Sequence, residues 1–473
     1  LVFASDARAI FSVPEEPYAI NEGRVADFLV PELEWIDLTS TFIEGVFRLP
    51  PAHTLTVTPS SLDVTEYWRP DPGPALQFTT DADYCEGFLE VFAHAIEERQ
   101  RGAEGRVGSM LSGGIDSGSI VAMASPLPTY SLAQPRDVEC AESQRIYATL
   151  EHLGLEGTQI IAGEENSLIE ELGKDLQEPY DGEFLFLKAI YAAAKRDGGS
   201  VVLDGAAGDV VFNEGAYIAR LLRHGDLRQA WHETAGEQAF WERRRVLPAF
   251  LRRLRSAFVP EPIKQVLRPA RQRNAARGFV NESLIAPGFA KHIDIAARFE
   301  RMAETFAGIP THDAGLERVR KIRPNLTAGR ERYARIAASA GVTAADPFTD
   351  LRVVQFCAQL PDQLCARDGW PKYLLRIAME GRLPDAVRWG RGKPHIGWMY
   401  NETFLRRERS RGRLSLKTLQ AAIGERVAPE KLQRAWEKWT NNGSHEMIHS
   451  AYILSQWLKQ FVTRPVVKKQ GVG

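Results

Sequence analysis

Cysteine is scarce in this sequence, and its spacing excludes two kinds of stabilised fold. Four cysteines occur among 473 residues, and no two of them are spaced as Cys-x-x-Cys. Zinc clusters and disulfide frameworks both depend on closely spaced or regularly paired cysteines. The histidines likewise show no His-Glu-x-x-His motif or other paired ligand spacing. We therefore expect no transition-metal site and four reduced structural thiols, at Cys85, Cys140, Cys357 and Cys365.

Long apolar runs and an excess of one charge are also missing. No run approaches the roughly 18 to 20 apolar residues that a membrane-spanning helix needs, so no membrane insertion is expected. Lys and Arg total 59 against 61 for Asp and Glu, and 44% of the residues are hydrophobic. This composition is typical of a soluble globular chain and excludes a disordered or collagen-like one.

The start of the chain also lacks features that would direct the protein elsewhere. Residues 1–6 contain neither an initiator Met nor the basic-then-apolar order of a signal peptide. The sequence thus predicts a cytoplasmic protein. Because the chain opens without Met on a strand-like stretch, we also expect that the N-terminal part of a longer protein is missing.

The chain divides at a proline-rich segment. Residues 1–70 contain short strand-like stretches with alternating polarity, which indicate a β-rich module. These stretches are 2–3, 45–49 and 54–58. The three prolines in 69–74 can continue neither a strand nor a helix, because each removes a backbone donor and fixes φ. We therefore place a linker at 71–79 and a second domain at 80–473.

Beyond the linker, helical and strand-like patterns alternate. The predicted helices are 81–100, 118–124, 139–153 and 185–195, and the predicted strands are 105–111, 129–133, 158–161 and 201–203. This alternation predicts an α/β fold with a parallel sheet covered by helices. From about residue 215 onward the pattern is almost wholly helical, so we expect a helical C-terminal part.

The loop between the first of these strands and its helix carries the clearest chemical signal. It reads Ser112-Gly-Gly-Ile-Asp-Ser117. Small residues at a strand-to-helix turn let backbone N–H groups converge on an anion at the positive end of the helix. The loop matches neither G-x-x-x-x-G-K-[ST] nor G-x-G-x-x-G, and it does not fit the nucleophile elbow G-x-S-x-G. We therefore predict a phosphate site of another type.

Two aspartates are candidates for holding magnesium beside this loop. Asp116 lies within the loop, and Asp209 follows the strand predicted at 201–203. Mg²⁺ prefers carboxylate oxygens, usually takes one or two from the protein, and completes its shell with water and substrate phosphates. Parallel sheets place ligands at the carboxyl ends of their strands, so both side chains are expected at one edge. The alternative is that each Asp only caps a helix or a turn.

The loop resembles the pyrophosphatase loop of the N-type ATP pyrophosphatases, whose Ser-Gly-Gly-x-Asp-Ser grips the pyrophosphate of ATP. Other segments resemble the asparagine synthetase superfamily, in the family's order. They are Leu203-Asp-Gly-Ala-Ala-Gly-Asp209-Val-Val-Phe212, Pro347-Phe-Thr-Asp350, Lys372-Tyr-Leu-Leu-Arg376, Leu383-Pro384 and Arg391-Gly-Lys393. Upstream, 3–7 and 42–51 resemble the later half of a class II (Ntn-type) glutaminase domain, which would make 1–70 a partial domain of that kind.

This resemblance implies an adenine-nucleotide alpha-hydrolase-like sheet with flanking helices and a set of contacts to ATP. The pyrophosphate would lie on the loop and the adenine along 130–133. The implied ATP-binding residues are Ser112, Gly113, Gly114, Asp116, Ser117, Ser131, Gly205 and Gly208. Mg²⁺ would be held by Asp116 and Asp209. Glu142 matches an acidic position of the family, and Lys393 matches a lysine whose ammonium would reach the α-phosphate; with the two aspartates they are the candidate catalytic residues.

Four positions depart from the asparagine synthetase pattern. Ala206 and Val210 stand where the family's second signature carries acidic residues. Thr343 and Ala345 replace a Glu and an Arg before the Pro-Phe turn. Loss of these charges leaves a more apolar pocket, which disfavours aspartate and ammonia as substrates. The pattern is more similar to the lasso-peptide macrolactam synthetases, which adenylate an Asp or Glu side chain of a peptide and join it to the peptide's own N-terminal amine.

The implied activity is ATP-dependent amide-bond formation, in which a carboxylate is adenylated with release of pyrophosphate and an amine then displaces AMP. The substrate would be a peptide or a small amino acid, and a partner protein that delivers the peptide is a further expectation. The alternatives are a glutamine-hydrolysing asparagine synthetase and another amide ligase of the superfamily.

Arginine is dense between residues 220 and 277. Three interpretations of this stretch stay open. It is a solvated helix face with arginine stems over apolar residues, a docking surface for a peptide or partner protein, or a phosphate-binding surface as in tRNA-binding PP-loop proteins. The near-zero net charge and the lack of an aromatic-and-basic RNA module disfavour nucleic acid as a partner.

Overall fold

The N-terminal region folds around a helix and a hairpin. The computed structural model describes residues 1–5, 7–10, 19–136, 138–161, 176–259, 261–305, 309, 311–392 and 396–463. The hairpin pairs β1 (His53–Val57) with β2 (Leu62–Glu66) in antiparallel register, which confirms the strand expected at 54–58. The helix Glu22–Leu29 begins at Asn21, whose side chain accepts a hydrogen bond from the Arg24 amide and so caps it.

The strands expected at 2–3 and 45–49 are not formed. In the second stretch an isolated bridge joins Ser40 to Phe47. The Thr41 hydroxyl donates to the Val46 carbonyl at 2.7 Å, and Asp37 accepts from the Ser40 amide at 2.7 Å. These side-chain hydrogen bonds turn the backbone at a point where an alternating pattern alone predicts a strand.

A five-stranded parallel sheet organises the chain from residue 106 onward. Its strands are β3 (Arg106–Met110), β4 (Thr129–Ala133), β5 (Gly157–Ile161), β6 (Gly199–Leu203) and β7 (Thr343–Ala345). Their order is β5-β4-β3-β6-β7, and every pairing is parallel. The α/β fold predicted from the alternating pattern is thus confirmed. The carboxyl ends of β3 and β6 are neighbours, so the segments that follow them meet at one edge.

Two short strand elements interrupt a region whose pattern predicts helices alone. β7 extends the sheet by pairing with β6, and β8 (Ala366–Arg367) forms a small hairpin with β9 (Trp370–Pro371). The sequence of β7, Thr-Ala-Ala, is too short and too rich in alanine to show a period-2 pattern. Its strand conformation is therefore set by the pairing partner and not by local propensity.

Helices cover both faces of the sheet and build the C-terminal part. The described α-helices are Ala7–Ile10, Glu22–Leu29, Asp81–Gln100, Ile115–Ala124, Ala141–Leu153, Pro179–Glu183, Leu185–Arg196, Gly208–Val211, Tyr217–Arg223, Leu227–Phe240, Val246–Phe258, Glu261–Glu282, Pro287–His292, Ile295–Thr305, Ala314–Ser339, Leu351–Ala358, Asp362–Cys365, Tyr373–Ala378, Asp385–Arg388, Gly397–Ser410, Leu416–Ile423, Pro429–Thr440 and Glu446–Thr463. No helix among the described residues has the length and apolar content needed to cross a membrane.

The core lies in two main layers, one on each side of the sheet. On one side, the helix Leu185–Arg196 is buried over its first ten residues and packs with the C-terminal helices. On the other side, the helix Asp81–Gln100 contributes Phe88 and Phe92 to an aromatic group that also includes Phe212 and Phe348. The loops at the carboxyl end of the sheet are therefore held between two packed layers.

Candidate active site

The loop after β3 is shaped by two glycines. Gly114 precedes the helix Ile115–Ala124 as its N-cap residue. Gly113 has φ +68°, and a Cβ there would lie 2.5 Å from the carbonyl oxygen of Glu142. A side chain at position 113 is therefore excluded both by the left-handed conformation and by the close backbone. The Ser112 amide donates to the Ser117 hydroxyl at 3.0 Å, which closes the loop on itself.

The segment after β6 packs directly against this loop, again through glycines. A Cβ on Gly208 would lie 2.4 Å from Oδ1 of Asp116. A Cβ on Gly205 would lie 3.0 Å from the Asp116 carbonyl carbon and from the Ser117 amide nitrogen. The two predicted ATP-binding glycines therefore let the second signature approach the phosphate loop. Direct contact of these two glycines with ATP stays a prediction.

The two predicted magnesium ligands are brought together, and a lysine lies between them. The Lys372 ammonium binds Oδ2 of Asp116 and lies 2.6 Å from Oδ1 of Asp209. Burial alone would lower the pKa of Lys372, but the two carboxylates outweigh it and hold the pKa above its ordinary value. Lys372 also has φ +57°, a costly conformation for a residue with a side chain and one that is concentrated at functional sites.

Lys372 is a residue of this site that the sequence patterns do not single out. The one signal in the sequence is its position at the head of a segment that resembles the family. Its ammonium is buried at the mouth of an anion-binding loop, so it can neutralise phosphate as well as carboxylate charge.

The paired carboxylates suit a magnesium ion better than a transition metal. Among the described residues there is no group of three or more His, Cys, Asp or Glu side chains that could hold a metal ion. Mg²⁺ needs no such group, because one or two carboxylates suffice when substrate phosphates complete its shell. Asp116 and Asp209 therefore fit the ion, and their metal role stays a prediction.

A cavity of about 1010 Å³ opens at this edge of the sheet. Its nucleotide end is lined by the residues of the phosphate loop, by Asp209 and Gly205, and by Tyr130 and Leu132 of β4. Ser131 is buried between those two residues and is not among the lining residues, because alternate side chains of a strand face opposite sides. A contact between Ser131 and the adenine stays a prediction.

Two arginines add positive charge near the phosphate loop. Arg145 and Arg376 both line the cavity. Burial lowers the pKa of Arg376 to about 10, and its guanidinium packs over the Trp370 ring at 5.0 Å. The nucleotide end thus combines arginine side chains and backbone donors suited to a triphosphate.

Glu142 is also on the cavity wall, but its described contact is with the backbone. Its Oε2 accepts a hydrogen bond from the Ile396 amide at 2.5 Å. Burial raises the pKa of Glu142 to about 7. Lys393, the other candidate catalytic residue, lies outside the described residues. Glu142 thus anchors the chain three positions after Lys393, and catalytic roles for both residues stay predictions.

The rest of the cavity wall, called here the acceptor end, combines aromatic and charged side chains. The aromatic ones are Trp35, Phe184, Phe186, Tyr217, Phe240, Trp241 and Tyr333, and the charged ones include Glu34, Glu233 and Arg332. Ala206 and Val210 line the cavity as well, so the two positions that lack the family's acidic residues do face the site. Among charged groups, Glu237 pairs with Arg253, and burial raises the pKa of Glu214. A wall with several aromatic side chains fits an organic substrate that is larger than a single charged amino acid.

The arginine-dense stretch is used in two ways. Arg220 is buried between Glu317 at 2.5 Å and Asp362 at 2.6 Å, so it holds the fold together. The run 243–245, in contrast, is exposed to solvent. Part of this stretch is therefore structural, and a docking role for the exposed part stays a prediction.

A comparison with known protein families identifies a family for this chain. The family model described as asparagine synthase matches residues 87–459. A direct comparison with curated proteins finds no match. The match covers most of the chain and includes the phosphate loop, the second signature and Lys372. The chain therefore belongs to the asparagine synthase family of ATP-using ligases.

Proposed function

We propose that this protein is an AMP-forming amide ligase that closes a peptide into a macrolactam. The observation that carries the proposal is that one cavity brings two unlike groups of residues together. Asp116, Asp209 and Lys372 lie beside the loop at 112–117. Aromatic side chains line other parts of the same cavity. Such a cavity can hold ATP and an organic carboxylate side by side.

In the first half-reaction, the substrate carboxylate attacks the α-phosphorus of ATP and pyrophosphate leaves. The backbone N–H groups of the loop at 112–117 stabilise the charge that develops on the leaving group. Magnesium, held by Asp116 and Asp209, would neutralise charge on the β- and γ-phosphates. The ammonium of Lys372 is within contact distance of both carboxylates. When ATP binds, it would turn from them toward the phosphates.

In the second half-reaction, an amine attacks the acyl adenylate and displaces AMP. The aromatic walls exclude water, which protects the adenylate from hydrolysis. A tethered amine that is held close to the acyl carbon reacts as though it were present at very high concentration. The protein therefore has to supply mainly positioning in this step.

The acceptor end favours a peptide over free aspartate. The wall carries Ala206 and Val210 where asparagine formation would need acidic residues, and it also has several aromatic side chains. Peptide side chains can pack against such a surface. We expect no asparagine from aspartate, even when ammonia is supplied directly.

The test uses synthetic linear peptides, each with a free N-terminal amine and one internal Asp or Glu. We expect AMP and pyrophosphate in equal amounts and a product lighter than the peptide by one water. The matched control is the same peptide with Asn or Gln in place of the acid, which should give neither. Formation of ADP, or robust asparagine formation from aspartate and ammonia, would contradict the proposal.

A further inference from the structure

One carboxylate on the cavity wall has a free oxygen. Asp204 directly follows β6, is 1% exposed and lines the cavity. Its Oδ1 accepts hydrogen bonds from Arg330 at 2.6 Å and from the Ala206 amide at 3.2 Å. Its Oδ2 is buried and has no hydrogen-bond partner within the part of the chain that the structure describes. A buried charged oxygen without a donor is costly, so this atom needs a partner that the described residues do not provide.

A second buried carboxylate lies beside the same arginine. Asp346 accepts from the Ala207 amide at 2.7 Å and from the Phe348 amide at 2.9 Å. It lies 3.6 Å from the same guanidinium nitrogen of Arg330 that binds Asp204. Two carboxylates thus share one cation. Burial, followed by the charge of Asp204, raises the pKa of Asp346 to about 8.

The other ionisable groups near Asp204 cannot supply the missing charge. Tyr191 on the helix Leu185–Arg196 and Tyr333 on the helix Ala314–Ser339 both have a raised pKa, first because of burial and then because of the charge of Asp204. Both phenols therefore stay neutral. Neither phenol donates to Oδ2 of Asp204, so this oxygen stays without a hydrogen-bond donor among the described residues.

Asp204 lines the cavity beside the segment that packs on the phosphate loop. The next residue, Gly205, packs on the backbone of Asp116 and Ser117. The residue after it, Ala206, leaves open the space that an acidic side chain would otherwise occupy. A group bound at Oδ2 of Asp204 would therefore lie close to the place where the acyl adenylate forms.

We propose that Asp204 binds the acceptor amine as an ammonium through Oδ2 and takes its proton before the amine attacks the acyl adenylate. This inference rests on the proposed ligase function. In the step, a proton moves from the ammonium nitrogen to the carboxylate, and the nitrogen lone pair forms the new C–N bond. The bond between the acyl carbon and the phosphate oxygen breaks, AMP leaves with that electron pair, and the remaining N–H proton of the intermediate passes to solvent.

A general base has to lie within hydrogen-bond reach of the proton that it accepts. Oδ2 of Asp204 is available for this contact, because no donor among the described residues binds it. Arg330 stays charged and holds Oδ1, so that Oδ2 faces the amine.

The test separates the two half-reactions in Asp204→Asn, with the peptides described above. ATP–pyrophosphate exchange reports adenylation, and trapping with hydroxylamine, a small amine that is uncharged at neutral pH, reports the adenylate without needing a base. We expect exchange and trapping within about threefold of wild type and macrolactam formation at least ~100-fold slower, as for loss of a general base. Asp204→Glu should recover part of the macrolactam rate.

Asp181→Asn is the matched control, because Asp181 is also buried and bound to an arginine of the helix Ala314–Ser339, Arg335, at 2.8 Å. It is not among the residues that line the cavity, so both half-reactions should change little. An Asp204→Asn variant that forms macrolactam within a few-fold of wild type would overturn the inference. So would an equal loss of exchange and macrolactam formation in a folded variant.

A measurement on the wild-type protein covers the case in which Asp204→Asn does not fold. In the exchange assay, an N-acetylated peptide should have a KM at least ~10-fold higher than the free peptide, since acetylation removes the ammonium. Equal KM values would overturn the inference. If no peptide supports exchange at all, the proposed function itself fails and the inference falls with it.

Discussion

The two ends of the cavity are built by different means. At the nucleotide end, the shape depends on backbone and on glycines that allow close contact, such as Gly113 and Gly208. At the acceptor end, it depends on aromatic side chains from segments far apart in the chain, such as Trp35 and Trp241. Under the proposed function, activation of a carboxylate by ATP would depend on short motifs, and the choice of substrate would depend on side chains that can change without disturbing the loop.

The largest effect is expected from the carboxylates of the nucleotide end. Asp116→Asn and Asp209→Asn should each reduce pyrophosphate formation about 1000-fold, which corresponds to roughly 4 kcal/mol of transition-state stabilisation. Neither substitution should prevent folding, because both side chains lie on loops or at a helix start. Initial rates with saturating ATP and peptide measure this, and Asp226→Asn, at an exposed helix cap, is the control. Near-normal magnesium-dependent activity in either variant would contradict the paired-carboxylate site.

A smaller effect is expected when only the packing around Asp116 is changed. Gly208→Ala places a methyl group 2.4 Å from Oδ1 of Asp116, so the carboxylate or the loop must shift. We expect adenylation to fall about 100-fold, or close to 3 kcal/mol, because small misplacements of a catalytic group are costly. Gly278→Ala is the control, since nothing lies within 4 Å of a Cβ at that position. Equal activities of the two variants would show that the glycine contact is not needed.

The acceptor end should respond in substrate affinity and not in adenylation chemistry. Trp241→Ala removes an aromatic wall, and we expect the KM for the peptide to rise about 10-fold, or 1.4 kcal/mol, with the KM for ATP unchanged. Trp231→Ala provides a matched control, because Trp231 is similarly exposed but packs against Phe250 outside the cavity. A change in the KM for ATP with Trp241→Ala would contradict a role for Trp241 in peptide binding alone.

The smallest effect on activity, about two- to threefold, is expected for Glu142→Gln, which keeps an oxygen to accept from the Ile396 amide.

The pKa of Glu142 is raised from 4.5 to about 7, so this side chain ionises at lower pH in the unfolded chain than in the folded one. Wild-type stability should therefore decrease as the pH rises from 4.5 to about 7. Denaturant unfolding across this range should show the decrease in wild type and a smaller one in Glu142→Gln; identical profiles would contradict the raised pKa.

The difference between the two ends also explains what the sequence predicts well. The strands β3 to β6 and the loop at 112–117 follow from local patterns, because each alternates with a helix and ends in a recognisable turn. The neighbouring positions of Asp116 and Asp209 follow from parallel-sheet geometry. All of these features depend on local sequence or on a general rule of topology.

The features that the sequence does not predict depend on tertiary contacts. β7 is a strand only because it pairs with β6. Lys372 reaches Asp116 across 256 residues of chain, and Asp204 is distinguished by a buried oxygen that no pattern reveals. The aromatic chamber likewise collects residues from separate segments, so its shape is visible only once the fold is known.

Adenylation of the substrate carboxylate can be tested directly by isotope transfer. A peptide with ¹⁸O in the carboxyl group of its internal Asp or Glu would be incubated with ATP until product forms. If the carboxylate attacks the α-phosphorus, one ¹⁸O atom must appear in AMP, and the pyrophosphate must be unlabelled. If ¹⁸O instead appears in inorganic phosphate together with ADP, the carboxylate was phosphorylated, which would contradict adenylation.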